Sequence, residues 1–199
     1  MRLLWFVGWV VFVSAAMPAA AAPHKVVDLR AQSDADGGIR ELSFCARPTP
    51  DEPLNLPGHM FVGYSLRMPG EPRAYVALGH TTSVPVVEAI LSYSRVFPSV
   101  PGSISDERYT ATLERCLVVR VNKSDFERAY AYATARAGQF TPDPDDWPPI
   151  SVSYRLGSSD CMNFAIDVAK IFATKGLKIP VRGATELPLR YVRRLIDEN

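Results

Sequence analysis

The chain has 199 residues, 47% of them hydrophobic, with 22 Lys and Arg against 21 Asp and Glu. A near-neutral chain with no basic block carries no electrostatic footprint for nucleic acid or an anionic membrane. After residue 22 no apolar run is long enough to span a bilayer.

Residues 1–22 read as a secretory signal. Arg2 precedes an apolar run over 3–13, and four alanines, Ala19 to Ala22, stand before Pro23. That is the charged, apolar and small-residue order of a cleaved leader. An uncleaved anchor is the alternative, and the run is short for a span. The alanine-rich end looks bacterial, so a periplasmic or secreted product is expected, with no stable membrane insertion after cleavage. Residues 23–199 suffice for one domain with a single core.

Residues 23–38 are polar and read as a loose arm. Residues 39–46 alternate as a strand, and a proline-rich loop over 47–57 delivers the chain to a β-prone run over 58–66. The Met68-Pro69-Gly70-Glu71-Pro72 turn leads into a second run over 74–80, so the two form a hairpin. Residues 86–93 fit a short helix or a strand, and 97–105, rich in Pro, Ser and Gly, reads as a surface loop. A half-buried strand is expected over 114–122. Ser124 and Glu127 make a capping box for a helix reaching about residue 137. The acidic, proline-rich stretch 139–149 is a loop, and 151–156 is a brief extended approach to a further helix. Residues 186–197 form a last amphipathic helix. Strands come first and helices gather late, which gives an α+β class.

The helix after residue 156 carries the chemistry. It begins Gly157-Ser158-Ser159-Asp160-Cys161, with Ser158 or Ser159 as the expected N-cap. The free amides and the positive dipole end favour an anion there, so a thiolate at Cys161 is favoured. Cys161, Ala165, Val168 and Phe172 share one face, Gly176 caps the end, and Pro180 bars continuation. The plain alternative for Cys161 is a small core residue.

Three cysteines in an oxidising compartment leave one thiol over. Cys45 and Cys116 both lie in strand-like segments and form the expected disulfide, with two buried free thiols as the alternative. A nucleophilic thiol needs a base, and the base needs an orienting partner. The histidines are His24, His59 and His80, all upstream of Cys161. His24 lies in the arm. His59 opens a strand after Gly58, and a turn centred between Pro69 and Gly70 sets His80 opposite it, as base and orienting partner. A one-residue shift in register would separate them onto opposite faces, with Ser83 and Glu88 as fallback partners. No metal or other cofactor is expected: the chain lacks His-Glu-x-x-His and Cys-x-x-Cys, and Asp143, Asp145 and Asp146 lack the Gly and Glu of a calcium loop.

The stretch from Tyr154 through Gly157, Asp160-Cys161 and Phe164, with its Gly176-Leu-Lys-Ile-Pro180 exit, resembles the nucleophile region of the NlpC-type cell-wall cysteine peptidases. Gly58-His59-Met-Phe-Val-Gly63-Tyr64 resembles their histidine strand, displaced ahead of the cysteine. That is the order of the circularly permuted branch, which includes the lecithin–retinol acyltransferase-like proteins. Met162-Asn163 stand where the family has Ser-Gly, and residues 81–146 match nothing in it. The resemblance implies a papain-like α+β fold of permuted topology, with a helix bearing Cys161 packed on an antiparallel sheet. It implies His59 as base, His80 as third residue, Tyr154 lining the oxyanion or substrate pocket, and Asp160 contacting substrate or bracing the turn, with helix capping as the plain alternative for Asp160. The expected function is an exported cysteine hydrolase cleaving amide bonds in peptidoglycan peptides. The alternatives are a lipid thioesterase or acyltransferase, and a non-catalytic binding protein with a buried Cys161.

Overall fold

The computed structural model describes residues 25–48, 58–94, 96–107, 115–135 and 150–199. The expected leader at 1–22, His24, residues 49–57 and 139–149 of the expected loops, and the aspartates at 143, 145 and 146 lie outside the described residues.

In chain order the elements are β1 (Lys25–Asp28), β2 (Ile39–Arg47), β3 (His59–Arg67), β4 (Ala74–Thr81), α1 (Val86–Leu91), β5 (Val100–Asp106), β6 (Arg115–Val121), α2 (Lys123–Thr134), β7 (Ile150–Tyr154), α3 (Cys161–Lys170) and α4 (Pro188–Glu198). The fold is α+β, with one mixed sheet of order β1-β6-β2-β3-β4-β5-β7. Among the described residues only the β1–β6 pair is parallel.

Period-two alternation decides what each face of the sheet meets. Leu42, Phe44 and Ala46 of β2 and Met60, Val62 and Tyr64 of β3 point one way, into the main core. There α3 brings Ala165, Val168 and Ala169, and α4 brings Tyr191, Val192 and Leu195. The opposite parity carries Cys45, Phe61, Ala77 and Cys116, a small second cluster on the other face. Cys45 and Cys116 are paired residues of β2 and β6 and form a disulfide. Cys161 is the free thiol.

Several expectations need correction. Part of the supposed loose arm is β1, which gains hydrogen bonds from β6. The supposed surface loop contains β5: Pro101 and Gly102 weaken its local strand signal, and pairing with both β4 and β7 overrides it. The helix α2 begins one residue before the capping-box serine, with Asn122 at the N-cap position. The α3 N-cap is Asp160, not Ser158 or Ser159; Ser159 Oγ instead donates to the Ser153 carbonyl. The hairpin register pairs Val62 with Leu78 and Leu66 with Ala74. That centres the turn on Gly70, one residue off the spacing that would set His59 against His80.

Candidate active site

The site lies where β3, α3 and the end of β5 meet. Cys161 is the first residue of α3 and is buried, 5% exposed. His59 is the first residue of β3, beyond the β3–β4 pairs and at the open end of the sheet. Its ring hydrogen-bonds the Cys161 side chain on one side and, through Nε2, Glu107 Oε1 at 2.8 Å on the other. The ring also stacks on Phe61, centroids 6.4 Å apart. The structure therefore brings residues 161 and 59 together.

The third member is different. His80 does not orient His59. It sits on β4 beside Ile104 of β5, 5% exposed, with the Tyr154 ring edge-on at 5.1 Å. Its ring hydrogen-bonds the Asp160 backbone, and burial pushes its pKa down. Ser83 and Glu88 are not His59's partners either. Glu107, the residue after β5, holds that place: its amide donates to the Ala77 carbonyl at 2.8 Å, tying it back to β4. Arg47 of β2 donates to the other Glu107 oxygen at 2.8 Å. Gly79 leaves the space for this contact, because a Cβ there would overlap the Glu107 carboxylate and lie 2.7 Å from His59 Nε2.

Burial alone would lower the His59 pKa, but the hydrogen bonds and negative charges of Cys161 and Glu107 outweigh it. The net effect raises it from 6.5 to about 9. The imidazole is thus an imidazolium at neutral pH and donates from both nitrogens. Burial would likewise raise the Glu107 carboxyl, yet His59 and Arg47 pull it below its usual range. Tyr154 ends β7 and hydrogen-bonds the Cys161 side chain. Burial, then the Cys161 and Asp160 charges, hold its hydroxyl far above the ordinary tyrosine range, so it stays a donor.

Asp160 is 1% exposed. Its carboxylate accepts from Met162 N and Asn163 N at 3.0 Å and from Gly157 N at 2.6 Å, and it pairs with Arg182. Of the two roles expected for it, bracing the turn is the one its contacts carry. The Phe164 amide bonds the Asp160 carbonyl, so Cys161 has the first-turn amide not committed to Asp160.

Two clefts of about 260 and 290 Å³ lie beside the site, the first lined in part by Asp160 and Met162 and the second by His59, and Gly58, Ile90, Tyr154 and Leu156 line both. The first is walled mainly by apolar groups, Tyr93, Met162, Leu187 and Pro188 among them. Arg155 Nη1 holds the segment after α1 in place by donating to the carbonyls of Ser92, Ser94 and Phe97. Gly157, at φ +89°, is where the Tyr93 ring packs against the turn; a Cβ would lie 2.7 Å from that ring. Among the described residues no cluster of His, Cys, Asp and Glu could hold a metal, and no helix is long and apolar enough to cross a membrane.

No protein-family model matches this chain, and neither a curated protein nor a solved structure shows significant similarity to it.

Sequence reasoning missed Glu107, Arg47 and Arg182. An acid just past a strand has no local signature, and the only available hint was that three basic or acidic groups must pair if buried.

Proposed function

We propose that this chain is an exported cysteine hydrolase of papain-like, permuted α+β fold that cleaves amide bonds, with Cys161 as nucleophile, His59 as general base and acid, and Glu107 as the orienting carboxylate. One observation carries it: the His59 ring bridges a free thiol at a helix N-terminus and a buried carboxylate. A thiolate–imidazolium pair of this kind is the working form of a thiol acyl-transferase.

The sulfur attacks the carbonyl carbon, and the oxygen takes up the negative charge. The Cys161 amide and the Tyr154 hydroxyl are the donors at hand for that oxyanion. The tetrahedral intermediate collapses as His59 protonates the leaving nitrogen, and the C–N bond breaks to leave a thioester on Cys161. Water then attacks the thioester while His59 takes its proton. The C–S bond breaks, and the free acid and the starting thiolate–imidazolium pair are released. Glu107 holds the imidazole in the tautomer and orientation that both steps need.

Peptide amides of peptidoglycan are the favoured substrate, supported by the leader-like residues 1–22 and by the resemblance of the Asp160-Cys161 turn and the His59 strand to cell-wall peptidases. Purified protein incubated with soluble peptidoglycan fragments should release new amino groups, and Cys161→Ala and His59→Ala should abolish that release. Release that survives in Cys161→Ala would rule the reading out.

A second reading has its own support. The cleft walled by Tyr93, Met162, Leu187 and Pro188 is apolar, and α1 beside it has no buried residue, with Val87 67% and Ile90 50% exposed. Such a surface suits a lipid acyl group, as a thioesterase or acyltransferase would require. An acyl adduct on Cys161 after exposure to lipid, with no cleavage of peptide, would favour it.

A further inference from the structure

The residue before the thiol poses an electrostatic difficulty. Asp160 is a buried carboxylate one position from Cys161, and two of its three amide partners are the amides of Met162 and Asn163. The helix terminus that should favour a thiolate therefore already holds an anion. A second anion beside it is disfavoured by like-charge repulsion, and the low-dielectric surroundings sharpen that repulsion.

Arg182 answers it. The residue comes from the connection between α3 and α4, just after Pro180, which is itself fixed by Tyr191 Oη donating to the Pro180 carbonyl at 3.0 Å. Its guanidinium forks onto both Asp160 oxygens, Nη1 to Oδ1 at 2.8 Å and Nη2 to Oδ2 at 2.7 Å, and also donates to Asn163 Oδ1. The Arg182 side chain is 15% exposed and that of Asp160 1%. Bidentate geometry of this kind is specific to arginine. Arg182 also lies within electrostatic range of Cys161 itself. A parallel pair, Arg47 with Glu107, neutralises the carboxylate on the far side of His59.

We propose that Arg182 is a positioning residue for catalysis: by pairing with Asp160 it cancels the charge next to Cys161 and leaves the helix terminus free to stabilise the thiolate. The charged and titratable groups facing Cys161 are then accounted for. His59 comes from β3, Tyr154 from β7, Asp160 from the turn and Arg182 from the α3–α4 connection, with His80 of β4 behind Asp160. With the carboxylates matched to their arginines, Cys161 and His59 remain as the pair free to exchange a proton. The inference rests on the hydrolase reading, since it takes the ionised thiol as the working form.

The test is the rate at which iodoacetamide alkylates Cys161 in the full-length protein at pH 5 to 6, with folding checked by circular dichroism. Removing a neighbouring opposite charge shifts an ionisation by about one unit or more, so Arg182→Gln should slow alkylation about tenfold. Asp160→Asn, which keeps a capping oxygen and removes the charge, should speed it, and the double variant D160N/R182Q should return near the wild-type rate. Arg182→Lys, which keeps the charge without the fork, should fall between wild type and Arg182→Gln. If Arg182→Gln fails to fold, Asp160→Asn and the double variant still decide the matter, because a purely structural pair predicts no acceleration in the first and no return in the second. Folded variants that all alkylate at the wild-type rate would overturn the proposal while leaving the hydrolase reading intact. A wild-type thiol no more reactive than free cysteine would overturn both.

Discussion

Glu107 Oε1 lies 2.8 Å from His59 Nε2, although 48 positions separate the two residues along the chain. The contact fixes one side of the imidazole and leaves the other for Cys161. It depends on two arrangements elsewhere, the absence of a side chain at Gly79 and the Arg47 guanidinium on the second Glu107 oxygen.

Glu107 is one of the groups that raise the His59 pKa, so its removal should show in a pH profile. The imidazolium form is present below about 9 and lost above it. The rate of amide or ester cleavage should therefore fall on the alkaline side as His59 loses its proton near that value. In Glu107→Gln the alkaline limb should move to lower pH, and kcat/KM should fall about a hundredfold or more. An alkaline limb that stays in place would remove Glu107 from the proton-transfer unit.

The same raised pKa makes a stability statement. A histidine charged more readily when folded than when unfolded adds stability in full below its unfolded value, near 6.5, and loses it as pH rises through about 9. Urea unfolding of wild type and His59→Gln should differ most at pH 6 and converge by pH 10. A gap that widens with pH would contradict the assignment.

Gly79→Ala tests the space rather than the chemistry. The added Cβ would press on the Glu107 carboxylate and on His59 Nε2, and both are held by backbone or ion-pair contacts. Overpacking of this sort costs about 1–3 kcal/mol. The variant should fold, lose activity in the same direction as Glu107→Gln, and show the same displaced alkaline limb. Wild-type kinetics in Gly79→Ala would mean that the carboxylate can move aside without consequence.

The disulfide staples β2 to β6 on the sheet face opposite α3, with 71 positions between its cysteines. Loop-closure entropy for that span corresponds to about 4 kcal/mol, of which 2–4 is typically recovered. The double variant Cys45→Ala/Cys116→Ala should unfold at lower denaturant while Cys161 alkylation in the folded protein stays unchanged. A lost Cys161 reactivity in a folded double variant would show that the staple shapes the site as well.

The apolar cleft predicts a chain-length preference. With p-nitrophenyl esters, Cys161-dependent turnover should rise from acetate toward medium acyl chains. Leu187→Asp, which sets a charge into that wall at an exposed position, should abolish the rise while leaving acetate cleavage within a few-fold of wild type. Turnover independent of chain length would separate the cleft from substrate recognition.

Local pattern carried much of the fold. Alternation marked β2 and β6, β-prone runs on either side of a turn marked β3 and β4, and the apolar faces of α3 and α4 marked those helices, because a half-buried element repeats its contacts at its own period. Strand β5 escaped because Val100–Asp106 contains Pro, Gly and two serines, and becomes a strand only between two partners. The helix N-terminus at Cys161 was readable from the turn before it, but its cap was not, since Ser158, Ser159 and Asp160 are all able to cap and tertiary contacts chose among them.

The sequence by itself determined the α+β class, the odd thiol at the start of a helix and the small set of histidines able to serve it. Those follow from residue type and spacing, which are local properties. Only the tertiary structure decided that the β3–β4 register sets His80 away from His59, that an acid beyond β5 takes its place, and that an arginine from the α3–α4 connection neutralises Asp160. Register hangs on one residue of turn geometry, and the pairing of buried charges hangs on which chain ends the sheet brings together. Neither leaves a trace in the order of residues along one strand or one helix.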